Sequence, residues 1–244
     1  STVFTAIGLL SSCALLPVLL LKKISHPKHS RVTFRKQTTE AFHAGIKTPE
    51  LWLAGSLECV VYLGIYATKT FLPLYALESG ISILWVGLFF STQELIHLIG
   101  RPIGGRLSDH LGYLPVAASG MLLAAFAMGL MPLLQSPLSL LMLAIVFGLS
   151  QALIFPSTLA LFAENMDARH TGAGAGMIGA LKNSAKVAGP ILGGLLINWQ
   201  SYAWMFWSMS ILLVLWSLGL IHNVLSKKTL NPPREYGRAL TVNP

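Results

Sequence analysis

The chain has 244 residues, of which 54% are hydrophobic and 11% are charged, and its formal net charge is +8. A soluble domain carries roughly 25% charged residues, so this chain has too few charges to cover a water-facing surface. The composition therefore excludes a disordered chain and disfavours an ordinary soluble enzyme. Cys13 and Cys59 both lie in apolar runs, which predicts neither a disulfide framework nor a cysteine-rich metal site.

Seven segments are apolar and close to the length of about 20 residues that spans a bilayer as a helix. They occupy residues 3–21, 51–74, 83–100, 114–134, 138–163, 172–197 and 203–222. Because a helix satisfies its own backbone hydrogen bonds in lipid, the pattern predicts an all-α membrane protein, a polytopic helical bundle. We expect a helix over 1–22, a basic linker over 23–50, a six-helix unit over 51–222 and a tail over 223–244.

The lysines and arginines indicate the orientation of these helices. All but three of the 17 lie in alternating connections and in the tail, and the connections 75–82, 135–137 and 198–202 hold none. Cytoplasmic loops carry the excess of basic residues in membrane proteins. We therefore expect the linker and the tail to be cytoplasmic, in an integral protein of the plasma membrane (the inner membrane of a bacterium). The positive charge then reflects topology, and nucleic acid is not an expected partner.

A short motif follows the third apolar segment, where residues 100–113 read GRPIGGRLSDHLGY. It resembles the short cytoplasmic loop signature of the major facilitator superfamily, GxLaDrxGrk, although Tyr113 and Leu114 replace the expected basic pair. Glycines allow the helix ends to approach, and a carboxylate can lie against a helix N-terminus. The gating-loop residues that the resemblance implies are Gly105, Arg106, Asp109 and Gly112.

A second motif lies in the sixth apolar segment. It resembles the glycine and proline signature of proton-coupled antiporters in the same superfamily, with Ala185 in place of one glycine. The matching residues are Gly176, Gly189, Pro190, Gly193 and Gly194. In the family this signature is diagnostic in the fifth helix, whereas this segment corresponds to its pseudo-symmetric partner, the eleventh. The alternative is that these glycines only permit close packing of helices.

The resemblance covers nearly the whole chain, with the seven segments corresponding to the sixth to twelfth helices of a superfamily transporter. It implies a C-terminal six-helix half plus one preceding helix. It also implies that transport needs an N-terminal half encoded upstream. In such carriers the substrate site lies between the halves, near the middle of the membrane.

Ionisable residues within the predicted spans are the candidates for function, because a charge in a span costs about 2.5–3.5 kcal/mol and normally faces protein or a cavity. The candidates for a substrate or proton pathway form three groups: Glu58, Tyr62 and Tyr66; Gln93 and Glu94; and Lys182 and Lys186, which are one turn apart, with Asn183 beside them. Lys69 is the remaining charge, and it can instead extend to the membrane surface. Glu58 and Glu94 can alternatively be structural partners of lysines on other helices.

These features predict a secondary transporter that moves a small organic solute by alternating access, with proton-coupled efflux as the family-level expectation and Glu58 or Glu94 as the proton carrier. Three lysines against two glutamates in the spans favour, alternatively, an anion or carboxylate uptake carrier. A seven-helix receptor or retinal protein is a candidate from another class, but residues 203–222 contain no lysine for a Schiff base. No catalytic pair, phosphate loop or metal-ligand spacing is present, so we expect neither an enzyme nor a cofactor or metal. The expected partners are the lipid bilayer, a small-molecule substrate and H⁺.

Overall fold

A computed structural model describes residues 5, 12, 49–133, 136–164 and 171–230. The chain divides into two compact units, Ser1–Gln37 and Thr38–Pro244, and the six long helices described below belong to the second unit. The predictions of a helix over 1–22 and of a linker over 23–50 therefore fall almost wholly outside the described residues.

Six long helices form the second unit, as the apolar segments predict. They are α1 (Pro49–Glu78), α2 (Ile83–Leu111), α3 (Tyr113–Leu130), α4 (Pro137–Glu164), α5 (Thr171–Trp199) and α6 (Tyr202–Leu230), and a short 3₁₀ turn (Met131–Leu133) extends α3. The helix α6 continues eight residues into the segment predicted as a tail. The described residues include no strand, which confirms the all-α fold class.

Five of these helices are long and apolar enough to cross a membrane: α1, α2, α3, α4 and α6. The exception is α5, which has 29 residues and thus the necessary length. It carries Lys182, Asn183 and Lys186 among many small residues, and these lower its apolar character. A helix of this kind needs protein or a cavity beside its polar face.

The segment predicted as the cytoplasmic loop 101–113 is helical over most of its length, which corrects that prediction. The helix α2 continues through Pro102 to Leu111 and ends only at Gly112, whose φ is +93°. A glycine adopts this left-handed conformation without the steric cost that a side chain imposes. Since no earlier residue forces the chain out of the helix, the end of the apolar run marks a change of environment and not the end of the helix.

The helices pack in pairs that leave α1, α2, α4 and α5 around one shared space. The most extensive contacts join α1 to α5, α2 to α4, and α3 to both α4 and α6. Glycines allow the first two pairs to approach closely. A Cβ atom on Gly189 of α5 would lie 2.6 Å from the carbonyl oxygen of Leu63 on α1, and one on Gly148 of α4 would lie 2.5 Å from that of Gln93 on α2.

Candidate functional site

A cavity of about 180 Å³ lies between α1, α2, α4 and α5. Its wall includes Tyr62, Tyr66, Glu94, His97, Gln151 and Lys186. Four of these, Tyr62, Tyr66, Glu94 and Lys186, are predicted candidates from three different helices. The helical faces read from the sequence thus converge on a single space.

Glu94 lies on the cavity wall within an ion-pair cluster. Its Oε1 atom lies 3.1 Å from Nζ of Lys69 on α1, and its Oε2 atom lies 3.5 Å from Nδ1 of His97, one turn along α2. The Glu94 side chain is 52% exposed, so the cavity reaches it despite these partners. Lys69, which could have extended to the membrane surface, instead lies against this carboxylate.

Glu58 has a more enclosed environment. Its side chain is 13% exposed, and its Oε1 atom accepts a hydrogen bond of 3.1 Å from the hydroxyl of Thr158 on α4. Its Oε2 atom lies 3.8 Å from Nζ of Lys182 on α5. The carboxylate therefore connects α1, α4 and α5, and Glu58 is not part of the cavity wall. This agrees with the alternative in which Glu58 is a partner of a lysine on another helix.

The two lysines of α5 differ in their partners. Lys182 faces Glu58 and lies 5.4 Å from the centre of the Tyr62 ring. Lys186 lies 5.2 Å from the centre of the Tyr62 ring and 5.5 Å from that of Tyr66, within cation–π range of both. Within the described ranges, Lys186 forms no ion pair with a carboxylate.

A pair of buried amides joins α2 to α4 beside the cavity, and Gln151 is the member that lines its wall. Nε2 of Gln93 donates a hydrogen bond of 3.2 Å to Oε1 of Gln151. Among the described residues, Oε1 of Gln93 and Nε2 of Gln151 have no hydrogen-bond partner. Buried polar atoms are normally paired, so these two atoms and Nε2 of His97 leave unused hydrogen-bonding capacity at the cavity.

The sequence-based candidate list omitted His97, Lys69, Gln151 and Phe155. The ring of Phe155 lies between those of Tyr62, at 5.2 Å, and His97, at 5.3 Å, and continues the aromatic wall onto α4. His97 follows Glu94 by one helical turn, so the stripe on α2 could have indicated it. Phe155 carries no such signal, because an aromatic residue in an apolar helix usually belongs to the core.

Comparison with known proteins identifies the family. The sequence profile of the Major Facilitator Superfamily matches residues 1–186 and, in a second overlapping match, residues 54–243. This chain belongs to the major facilitator superfamily. Two overlapping matches are expected in a family whose transporters contain structurally equivalent repeats.

Two members of the superfamily are similar to part of this chain. The quinolone resistance protein NorA of Staphylococcus aureus (strain Mu50) is 28% identical over 173 residues, which cover 67% of this chain and 43% of NorA. The multidrug resistance protein MdtG of Proteus mirabilis (strain HI4320) is 30% identical over 151 residues, which cover 57% of this chain and 37% of MdtG. The chain thus spans less than half the length of these curated relatives. It is an integral membrane protein of a transporter family.

The superfamily loop motif lies on the last turns of α2. Arg106 and Asp109 are exposed, and the backbone N–H of Gly112 donates to the carbonyl of Ser108 at 2.9 Å. The negative end of a helix dipole disfavours a carboxylate in the last turn, so Asp109 gains nothing from its own helix. Within the described ranges Asp109 forms no ion pair. Gly105 faces Pro156 of α4, at 4.0 Å for an added Cβ atom.

The glycine and proline motif is divided between two environments on α5. Gly189 approaches the backbone of α1, and Cβ atoms on Gly193 and Gly194 would lie 2.8 Å and 3.4 Å from the ring of Phe71. Gly176 is different, because a Cβ atom there would meet none of the described residues within 4 Å. The packing role considered for these glycines therefore fits Gly189, Gly193 and Gly194 but not Gly176. Pro190 lies inside the helix beside the first of them.

Asn183 is also separated from the cavity. It is exposed and is not part of the cavity wall, although it follows Lys182 directly in the sequence. One residue turns a helix by about 100°, so neighbours in the chain face different directions. Among the described residues, no three histidine, cysteine, aspartate or glutamate side chains come together as a metal site.

Proposed function

We propose that this chain provides the sixth to twelfth helices of a proton-coupled major facilitator that exports small organic compounds by alternating access. In this proposal residues 51–222 form the C-terminal six-helix half, with the linker and the tail in the cytoplasm of a cell whose plasma membrane holds the protein. A second half completes the cavity and is needed for transport. The observation that carries the proposal is Glu94, a carboxylate on the wall of a cavity enclosed by predicted membrane helices.

Glu94 is the better proton carrier of the two candidates. A carboxylate that exchanges protons during transport must be reached by water, and Glu94 is 52% exposed where Glu58 is 13% exposed. Protonation of Glu94 removes its ion pair with Lys69 and weakens its contact with His97, and it releases both partners into the cavity. Protonation of Glu58 would instead leave Lys182 without its counter-ion between packed helices, which is costly.

The exposed surface of α2 is an argument for a second half that packs against this one. Only 17% of the residues in the apolar stretch of α2 are buried, against 50–56% in α1, α3 and α4. This surface flanks the cavity that carries Glu94. Carriers of this superfamily bind substrate between two halves, and alternating access is a movement of one half against the other.

The relatives support export of organic compounds. NorA is named for resistance to quinolones and MdtG for resistance to multiple drugs. A carrier confers resistance by removing a compound from the cell. In this proposal Asp109, on an exposed helix end away from the cavity, acts in the conformational cycle by bonding a helix end of one state, and does not contact substrate.

The proposal is tested with the Glu94→Gln and Glu58→Gln variants of the full transporter in proteoliposomes. Glutamine keeps the volume and the hydrogen bonding of glutamate but cannot release a proton. We expect Glu94→Gln to abolish accumulation of a fluorescent aromatic dye driven by an imposed pH gradient, while exchange of dye across the membrane without a gradient continues. Glu58→Gln is the matched control and should retain both activities once its expression level is taken into account.

Two results would contradict this assignment. Gradient-driven accumulation by Glu94→Gln at the wild-type rate would remove Glu94 as the proton carrier. Loss of both gradient-driven accumulation and exchange in Glu94→Gln, with a folded protein, would place Glu94 in substrate binding and not in coupling.

A further inference from the structure

The charges around the cavity do not balance. Lys69 lies against Glu94, and Lys182 lies against Glu58. Lys186 is the third lysine of these helices, and it faces the rings of Tyr62 and Tyr66 in place of a carboxylate. Within the described part of the cavity wall, one positive charge therefore remains without a counter-ion.

An ammonium group in this position is an unusually good partner for an anion. Lys186 is partly buried, and a charge partly removed from water is costly unless it is paired, a cost that the ring faces of two tyrosines compensate only in part. An anion that reaches Nζ of Lys186 adds the missing pairing in a surrounding of low dielectric constant, where electrostatic attraction is stronger than in water.

The rest of the wall is suited to a flat apolar body. The rings of Tyr62, Phe155 and His97 follow one another at 5.2 Å and 5.3 Å, and Tyr66 lies 6.1 Å from Tyr62. Aromatic pairs are favourable at centroid distances of about 4.5–7 Å, so a ligand ring can extend this row. The cavity of about 180 Å³ is smaller than the roughly 300–1,000 Å³ typical of drug-sized ligands. It can hold one ring system with its charged group, and a larger molecule would extend beyond it.

We propose that this cavity binds aromatic carboxylates, with the carboxylate at Lys186 and the ring beside Tyr62 and Phe155. The assignment rests on the transporter function proposed above and names its substrate class. An aromatic cation is disfavoured because the tyrosine faces already hold the ammonium group of Lys186. Glu94, the carboxylate on the described part of the wall, is also occupied by Lys69 and His97.

Three probes of the same shape test the proposal: 2-naphthoate, its neutral amide, and the corresponding naphthylmethylammonium cation. Their equilibrium binding is measured by calorimetry on the full transporter in nanodiscs. We expect 2-naphthoate to bind roughly 10- to 100-fold more tightly than the amide, which is the range for a hydrogen bond to a charged group. The cation should bind more weakly than the amide.

Four variants locate the effect. Lys186→Gln should reduce 2-naphthoate binding to the level of the amide, and Lys186→Arg should retain part of the preference because it keeps a fixed cation. The double variant Lys182→Gln/Glu58→Gln removes the neighbouring lysine together with its partner carboxylate and leaves the net charge unchanged, so we expect a loss of at most about threefold. Ser184→Ala, on an exposed side chain of the same helix, controls for substitution as such.

Equal or tighter binding of the amide or the cation by the wild-type protein would overturn the proposal, and this result requires no variant to fold. A loss in Lys182→Gln/Glu58→Gln as large as that in Lys186→Gln would overturn the assignment to Lys186. If the wild-type protein accumulates a neutral or cationic dye under a pH gradient but does not prefer 2-naphthoate, the substrate class is wrong and the proton-coupled transport proposed above still stands.

Discussion

Two regions of the bundle differ in how their polar groups are paired. Polar side chains between α3 and α6 are hydrogen-bonded, whereas several around the cavity are not. Between α3 and α6, the hydroxyl of Ser217 donates to the carbonyl of Ala118 at 2.9 Å, and that of Ser210 donates to the carbonyl of Ala125 at 2.7 Å. Nε1 of Trp207 donates to the carbonyl of Gly129 at 3.1 Å. The polar groups of α6 thus find partners on the backbone of the neighbouring helix.

The helices around the cavity keep several polar atoms without partners. In the described ranges, the buried side-chain atoms without a hydrogen bond belong to Thr68, Gln93, His97 and Gln151, and to Glu58, whose Oε2 atom instead forms the ion pair with Lys182. All five residues lie on α1, α2 or α4, and none lies on α3 or α6. An unpaired polar atom in a low-dielectric surrounding costs free energy, and two of these residues, His97 and Gln151, line the cavity.

This difference separates two kinds of mutational effect. Changes in the cavity wall should alter transport more than stability. Changes between α3 and α6 should alter stability more than transport. The predictions below test that separation, beginning with the largest effect.

The chain by itself should not transport. Without a second half, the cavity wall with Glu94 and Lys186 would face lipid, where exposed ionisable groups are unfavourable. We expect no saturable uptake of a fluorescent aromatic dye above that of protein-free liposomes when this polypeptide alone is reconstituted. The same chain co-expressed with the second half proposed above is the control, and it should restore uptake. Saturable uptake by the isolated chain would show that the described wall already forms a complete site.

Much of this fold could be predicted from the sequence because membrane helices need long apolar runs. The six runs between residues 51 and 222 each correspond to one helix. The ends could not be predicted in the same way, since the helix α2 continues from its apolar run to Gly112 without a residue that breaks it. Hydropathy reports where lipid ends, whereas the helix ends where the backbone conformation changes.

The candidate site could be predicted only in part. Helical spacing placed Tyr62, Tyr66 and Lys186 on cavity-facing surfaces, because residues four apart share a face. It could not determine which carboxylate pairs with which lysine, since those pairs join residues far apart in the chain. The sequence therefore left Glu58 and Glu94 equivalent, and packing distinguishes them by enclosing Glu58 between three helices.

We expect a smaller effect on stability from a substitution in the contact between α5 and α1, two helices that contribute to the cavity wall. In Gly189→Ala the new methyl group would lie 2.6 Å from the carbonyl oxygen of Leu63, a backbone atom that cannot turn aside. We expect a loss of about 1–3 kcal/mol in unfolding free energy, the usual cost of overpacking. The matched control is Gly176→Ala on the same helix, which meets open space and should be neutral or stabilising by up to about 0.5–1 kcal/mol.

Both glycine variants can be compared by reversible unfolding in mixed micelles. Equal stability of Gly189→Ala and Gly176→Ala would show that the close approach of α1 and α5 does not stabilise the bundle. A loss of transport in Gly189→Ala should follow the loss of folded protein, because no atom of Gly189 lines the cavity.

The smallest effect, and the sharpest test of the separation, comes from Ser217→Ala beside Gln151→Leu. Both side chains are buried, and each forms one hydrogen bond to a neighbouring helix. Loss of the Ser217 hydroxyl removes a bond between helices, and such bonds contribute about 0.6 kcal/mol on average in membrane proteins. The carbonyl of Ala118 keeps its own helical partner, so no large penalty is added. We therefore expect Ser217→Ala to lower stability by about that amount while transport per folded molecule is unchanged. Gln151→Leu also removes the acceptor of the buried Gln93 amide, whose Nε2 atom keeps only the longer 3.4 Å contact to Oε1 of Glu94, so we expect a stability loss of about 1 kcal/mol together with a severalfold change in substrate affinity. Reversible unfolding and substrate binding, measured on the same preparations, check both expectations. If Ser217→Ala alters substrate affinity, or if Gln151→Leu alters only stability, the proposed difference between the α3–α6 contact and the cavity wall does not hold.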